Sequence, residues 1–74
     1  MPVVKRFGGY VVKIFFADRN PPHVHVVSAD FQALVSISDA AIFRGEIPAK
    51  FRGEVLEWIS LNREFLMTEW EKAR

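Results

Sequence analysis

Apolar and polar positions follow two different periods along this chain, and the change falls near Pro48. Before it, apolar residues recur at every second position or in short runs rich in branched and aromatic side chains. "GYVVKIFF", Gly9 to Phe16, therefore predicts a strand. Asp18, Asn20, Pro21 and Pro22 predict a loop, because proline offers no ladder N–H and Asn and Asp favour turns. "HVHVVS" alternates and predicts a second strand. Ala29-Asp30 is short enough for a hairpin turn, and "FQALVSIS" alternates again as a third strand. Residues 39–47 read as a connection with a brief extended piece at Ile42-Phe43.

From Pro48 onward the period lengthens. Phe51, Val55, Trp58, Ile59, Phe65, Leu66 and Trp70 recur at three- and four-residue steps, which predicts one helix with a broad apolar face. Proline suits its first turn. Twenty-odd helical residues span about 35 Å, enough to cross three strands. Gly53 costs such a helix about 1 kcal/mol relative to Ala, so a bend or a close backbone approach is expected there. The expected fold is α+β, a single domain over residues 1–74: a three-stranded antiparallel meander packed against one long C-terminal helix.

Strand alternation sorts the side chains into two faces. Val12, Ile14 and Phe16, Val24 and Val26, and Ala33, Val35 and Ile37 are expected to meet the helix. Lys13, Phe15, His23, His25, Gln32, Leu34 and Ser36 gather on the other face. Trp58 is expected in the helix–sheet core, with Trp70 partly exposed near the chain end.

Composition narrows the setting. A chain of 74 residues buries only about 60% of its unfolded surface, so stability is thin. Without cysteine it has no disulfide and no thiolate metal site, which fits a reducing cytoplasm. Seven Phe in so short a chain suggest apolar surface reserved for a second chain, another protein or a homo-oligomer. No apolar run reaches the ~20 residues of a membrane span, and Met1-Pro2-Val3 begins no signal peptide. Charge is uneven. Residues 1–52 hold seven Lys or Arg against four acids, and residues 53–74 hold three against five. A net +3 at the front is compatible with RNA but weak for a nucleic-acid surface.

The candidate chemistry lies in "DRNPPHVHV", Asp18 to Val26, which contains both histidines. Two positions apart on a strand, His23 and His25 share a face about 6.5 Å apart. Three readings stand side by side. The imidazoles can share one metal ion if a carboxylate such as Asp18 joins them, although only two ligands are certain to converge. They can transfer protons to and from RNA without a metal, since imidazole exchanges protons near neutrality, with Lys13 or Arg19 as the cation. Or they organise the hairpin entry and line a protein interface. The expected set is His23, His25 and Lys13 for catalysis and Asp18, Arg19, Asn20 and Phe15 for binding, with no metal and no cofactor.

"RFGGYVVKIFF", "DRNPPHVHV", "GEIP" and "EWISLNREFLMTEWEKAR" together resemble a family of very short bacterial proteins, the domain-of-unknown-function family 4160. The resemblance implies a place beside a gene for a second small protein, in a pair resembling a type II toxin–antitoxin module. This chain would take the toxin role, and the nearby antitoxin-like protein would bind it. The family's pattern falls on Asp18, Asn20, Pro21, Pro22, His23 and His25. Two positions depart from it: Arg19 and Asn62 stand where relatives often carry His, which weakens the case for a histidine-rich metal centre. The resulting expectation is a cytoplasmic toxin-like component acting on RNA or translation through the His23/His25 face. The alternative is a non-enzymatic protein-interaction module.

Overall fold

The computed structural model describes residues 3–74; Met1-Pro2, read above against a signal peptide, lie outside them. Five strands form one antiparallel meander in sequence order: β1 (Val3–Phe7), β2 (Tyr10–Lys13), β3 (His23–Val27), β4 (Gln32–Ser36) and β5 (Ile42–Gly45). Two helices follow, α1 (Ala49–Leu61) and α2 (Arg63–Lys72). The α+β class and the central meander agree with the sequence reading, but the sheet has five strands rather than three.

Both additional strands are edges. In β1 ("VVKRF") and β5 ("IFRG") no residue is fully buried, so neither carries the alternation that marks a half-buried strand. Gly9, at φ 96°, closes the tight β1–β2 hairpin, where Phe7 pairs with Tyr10. At Gly45 (φ 77°) a Cβ would collide with the Gln32 carbonyl oxygen, so β5 can close on β4 only with glycine there.

The expected single helix is two, and the break falls at Asn62 rather than Gly53. The Asn62 side-chain amide donates to the Trp58 carbonyl at 2.8 Å, taking the acceptor that its own backbone N–H would use in an α-helix. That N–H turns instead to the Ile59 carbonyl, three residues back, at 3.1 Å. Gly53 lies in α1 with open space where a Cβ would be, so nothing there requires glycine.

The core lies between the helices and one sheet face. Val12, Ile14, Val24, Val26, Val35, Ile37, Val55, Ile59 and Leu66 have no exposed surface. Three expected placements are reversed. Phe16 is 73% exposed because β2 ends at Lys13 and the chain turns away, with Ala17 at φ 57°. Phe65 is 44% exposed because it lies beside the inward row of Val55, Ile59, Leu66 and Trp70, which keeps its helical spacing across Asn62. Trp70 is 1% exposed, while Trp58 is only partly buried, against the edge of the Phe7 ring.

Losing the Trp70 ring is expected to cost about 3–5 kcal/mol, and Trp58→Ala distinctly less. Urea unfolding of the two alanine variants checks the order, and equal losses would contradict this core. A second expectation concerns alkaline pH. Tyr10 is buried and its hydroxyl donates to Glu54 at 2.6 Å. Burial, then the Glu54 hydrogen bond and charge, push the phenol well above its ordinary value. The stability contributed by the neutral phenol is therefore complete below pH about 10. Above that it falls by about 1.4 kcal/mol per pH unit while only the unfolded chain ionises. Tyr10→Phe should flatten that decline in unfolding curves recorded from pH 9 to 11.

Candidate functional site

The loop between β2 and β3 carries Asp18, and two backbone contacts fix it. Ala17 N–H donates to the Ala73 carbonyl at the end of α2 (2.6 Å), and Ile37 N–H donates to the Pro22 carbonyl (3.1 Å). Asp18 Oδ1 accepts the N–H of the next residue, Arg19, at 2.9 Å, a local bond that orients the carboxylate. The Asn20–Pro21 peptide is cis.

Asp18 Oδ2 then meets both histidines, His23 Nε2 at 2.9 Å and His25 Nε2 at 2.8 Å. On its other side, the His23 Nδ1–H donates to the Pro21 carbonyl at 2.7 Å. A carbonyl only accepts, so Nδ1 carries the hydrogen, and in the neutral ring Nε2 is a bare lone pair. Aimed at a carboxylate oxygen, that lone pair is attracted only if a proton or another cation lies between the two atoms. Partial burial alone would raise the Asp18 carboxyl. The His25 hydrogen bond, the Arg19 N–H and the charges of the two imidazoles outweigh it and hold the carboxyl below its ordinary range.

Aromatic rings frame the cluster. His25 stacks on Phe15 with centroids 3.9 Å apart and planes within 10°. His23 is 5% exposed, with the Trp70 ring at 5.2 Å and the Phe43 ring edge-on at 5.6 Å. The Trp70 indole N–H beside it has no hydrogen-bond partner among the described residues.

Sheet register completes the surface. Lys13 pairs with His25, His25 with Leu34, and Leu34 with Arg44, so these four form one row across the open face. On β5, Leu34 faces Arg44 while Val35 faces Ile42, which leaves Phe43 as the extra residue of a bulge. The bulge lets consecutive residues Phe43 and Arg44 line the same groove, where a regular strand would send them to opposite faces. That groove holds about 430 Å³, with Asp18, His23 and His25 in its wall beside Arg19, Asn20 and Arg44. A second hollow of about 240 Å³ adjoins it past His25 and Leu34.

Of the residues singled out by sequence, Asp18, Arg19, Asn20, His23 and His25 come together at the groove, and Phe15 supports it by stacking. Lys13 stands beside His25 in the row but is not part of the groove wall. Sequence reasoning gave only two certain converging ligands; the loop brings the third. It missed Arg44 and Phe43, whose only signal was the short extended piece at Ile42-Phe43, and it missed Trp70 behind His23. Of the two positions where relatives often carry His, Arg19 lines the groove and Asn62 is engaged at the helix joint. Chemically, the cluster can pass protons between Asp18 and two imidazoles, or its three donor atoms can share one cation.

A family model described as a domain of unknown function, DUF4160, matches residues 9–71, from the β1–β2 turn into α2 and including every residue of the groove. The chain belongs to that family. No curated protein and no solved structure matches it.

Asp18→Ala leaves the buried His23 Nε2 unpaired and should cost about 1–3 kcal/mol in urea unfolding at pH 7. Asp18→Asn should cost less, because its amide N–H can donate to that lone pair. If alanine proves no worse than asparagine, the carboxylate does not hold the cluster together.

Proposed function

We propose that this member of the DUF4160 family is the toxin-like half of a bacterial two-protein module and acts on RNA through the His23/His25 face. The observation that supports this most is the Asp18–His23–His25 cluster in the wall of a groove that also carries Arg19 and Arg44. Phosphodiester chemistry needs reactive donor and acceptor atoms at the scissile bond and positive charge where negative charge develops. The cluster supplies the atoms and the two arginines supply the charge. Phe43, 47% exposed, offers a base a flat ring to stack on.

The partners in this reading are RNA and a small antitoxin-like protein encoded nearby, in the cytoplasm. No helix among the described residues is long and apolar enough to cross a membrane. Leu61 (77% exposed) and Phe65 sit four residues apart across the helix joint, and they provide apolar surface for the protein partner or a second copy of the chain. The groove would remain free for RNA.

The test is induced expression of wild type, His25→Gln and Arg44→Gln, with growth, RNA integrity and the melting curve of each purified protein recorded. Arg44 is exposed, and Gln at position 25 keeps a donor for Asp18, so the variants are expected to fold. Wild type should arrest growth and cleave RNA, and His25→Gln should lose about a hundredfold or more in cleavage. RNA binding should weaken steeply from roughly 50 to 200 mM salt. A wild type that leaves growth and RNA unaffected, or folded variants as active as wild type, would transfer the function to a non-enzymatic protein-interaction module.

A further inference from the structure

We infer that Asp18, His23 and His25 form a binding site for one divalent transition-metal ion of the zinc type, open to the groove. It uses the side chains of the proposed RNA reaction but does not rest on that reading, since the geometry stands whatever the substrate.

Four observations carry it. The first is convergence: one ligand atom from each of the three residues lies within 4.8 Å of the other two. In a tetrahedral site with bonds near 2.0–2.1 Å, ligand atoms are about 3.3 Å apart. To admit an ion, the Asp18 Oδ2 contacts of 2.9 and 2.8 Å open by about half an ångström and the two imidazole nitrogens, within 4.8 Å, draw toward the same spacing.

The second is the hydrogen on His23. Its Nδ1–H is committed to the Pro21 carbonyl, the outer contact that ligating histidines characteristically make, and this aims the Nε2 lone pair at the cluster. With Nδ1–H committed there, the short contact between Nε2 and Asp18 Oδ2 has room for a shared cation, and a metal ion is one that both atoms can ligate.

The third is rigidity. Phe15 stacks flat on the His25 ring, and Trp70 and Phe43 hold His23, so the imidazoles are set before any ion arrives. Stiff ligand rings favour binding because little freedom remains to be lost.

The fourth is the opening. The three protein ligands share a groove of about 430 Å³, which leaves coordination positions for water or a substrate oxygen. Three protein ligands and an open position are the arrangement of catalytic rather than structural zinc. Two imidazoles and one carboxylate select zinc, cobalt or nickel over magnesium and calcium, which prefer all-oxygen ligands. Arg44, on the groove wall beside the cluster, would place an anionic ligand such as a phosphate next to the ion.

The experiment uses the full chain, stripped with a chelator and dialysed, and needs neither RNA nor growth. Cobalt(II) is titrated while visible absorption is recorded, zinc is then added, and the melting temperature is followed throughout. Expected are d–d bands saturating at one ion per chain, their loss when zinc displaces cobalt, and a melting temperature that rises until one equivalent is bound. Asp18→Asn and His25→Gln should fold in the chelator-treated state and bind at least about tenfold more weakly. Gln32→Ala, outside the cluster, should bind like wild type. Absence of bands and of any zinc-dependent melting shift in a folded wild type overturns the site. So do folded Asp18→Asn and His25→Gln variants that bind as tightly as wild type, because the ion would then lie elsewhere. A chain that binds zinc but leaves RNA intact retains this site and loses only the RNA reading.

Discussion

One carboxylate oxygen, Asp18 Oδ2, is shared by two imidazoles, and the open face of the sheet is arranged around that contact. The loop must bring Asp18 back over the start of β3, and three hydrogen bonds hold it there: two between backbone groups, Ala17 to Ala73 and Ile37 to Pro22, and one from the Arg19 N–H to the Asp18 carboxylate. The first two reach the end of α2 and the residue after β4, so the cluster is a product of the tertiary structure. The His-x-His spacing supplies only two of its three members.

The division of labour between the sheet faces follows from size. A domain this small has one apolar core, and both helices are committed to one side of the sheet to build it. The other side is left to a row of Lys13, His25, Leu34 and Arg44, in which charge and apolar surface alternate across the strands. Trp70 joins the two sides, since it is fully packed in the core while its ring lies 5.2 Å from His23. Site and core therefore share a side chain, and the imidazole that the groove exposes least is the one that the core holds most firmly.

How much of this was legible in the sequence depended on burial. The central strands β2, β3 and β4 and the switch to a helical period were readable because their apolar positions are paired with a core on one face. Edge strands β1 and β5 bury little and left no such trace, so Arg44 and Phe43 went unseen as site residues. The helix break at Asn62 is a competition between a side-chain amide and a backbone N–H for the Trp58 carbonyl, which periodicity cannot register. Trp70 lies inside because it continues the row of Val55, Ile59 and Leu66, while Trp58 sits at that row's margin, opposite to the order expected from distance to the chain end. His23 and His25 were placed on one face by simple alternation. Asp18 was legible as a residue of the right type, but its convergence with both rings needed the loop anchors.

The Ala17–Ala73 bond ties the last turn of α2 to the residue just before Asp18. The far end of the chain is thus a mechanical support for the loop, and its backbone acceptor acts as a latch. That latch lies outside the groove wall, so the seat of the carboxylate is set in part by a contact that nothing occupying the groove would touch.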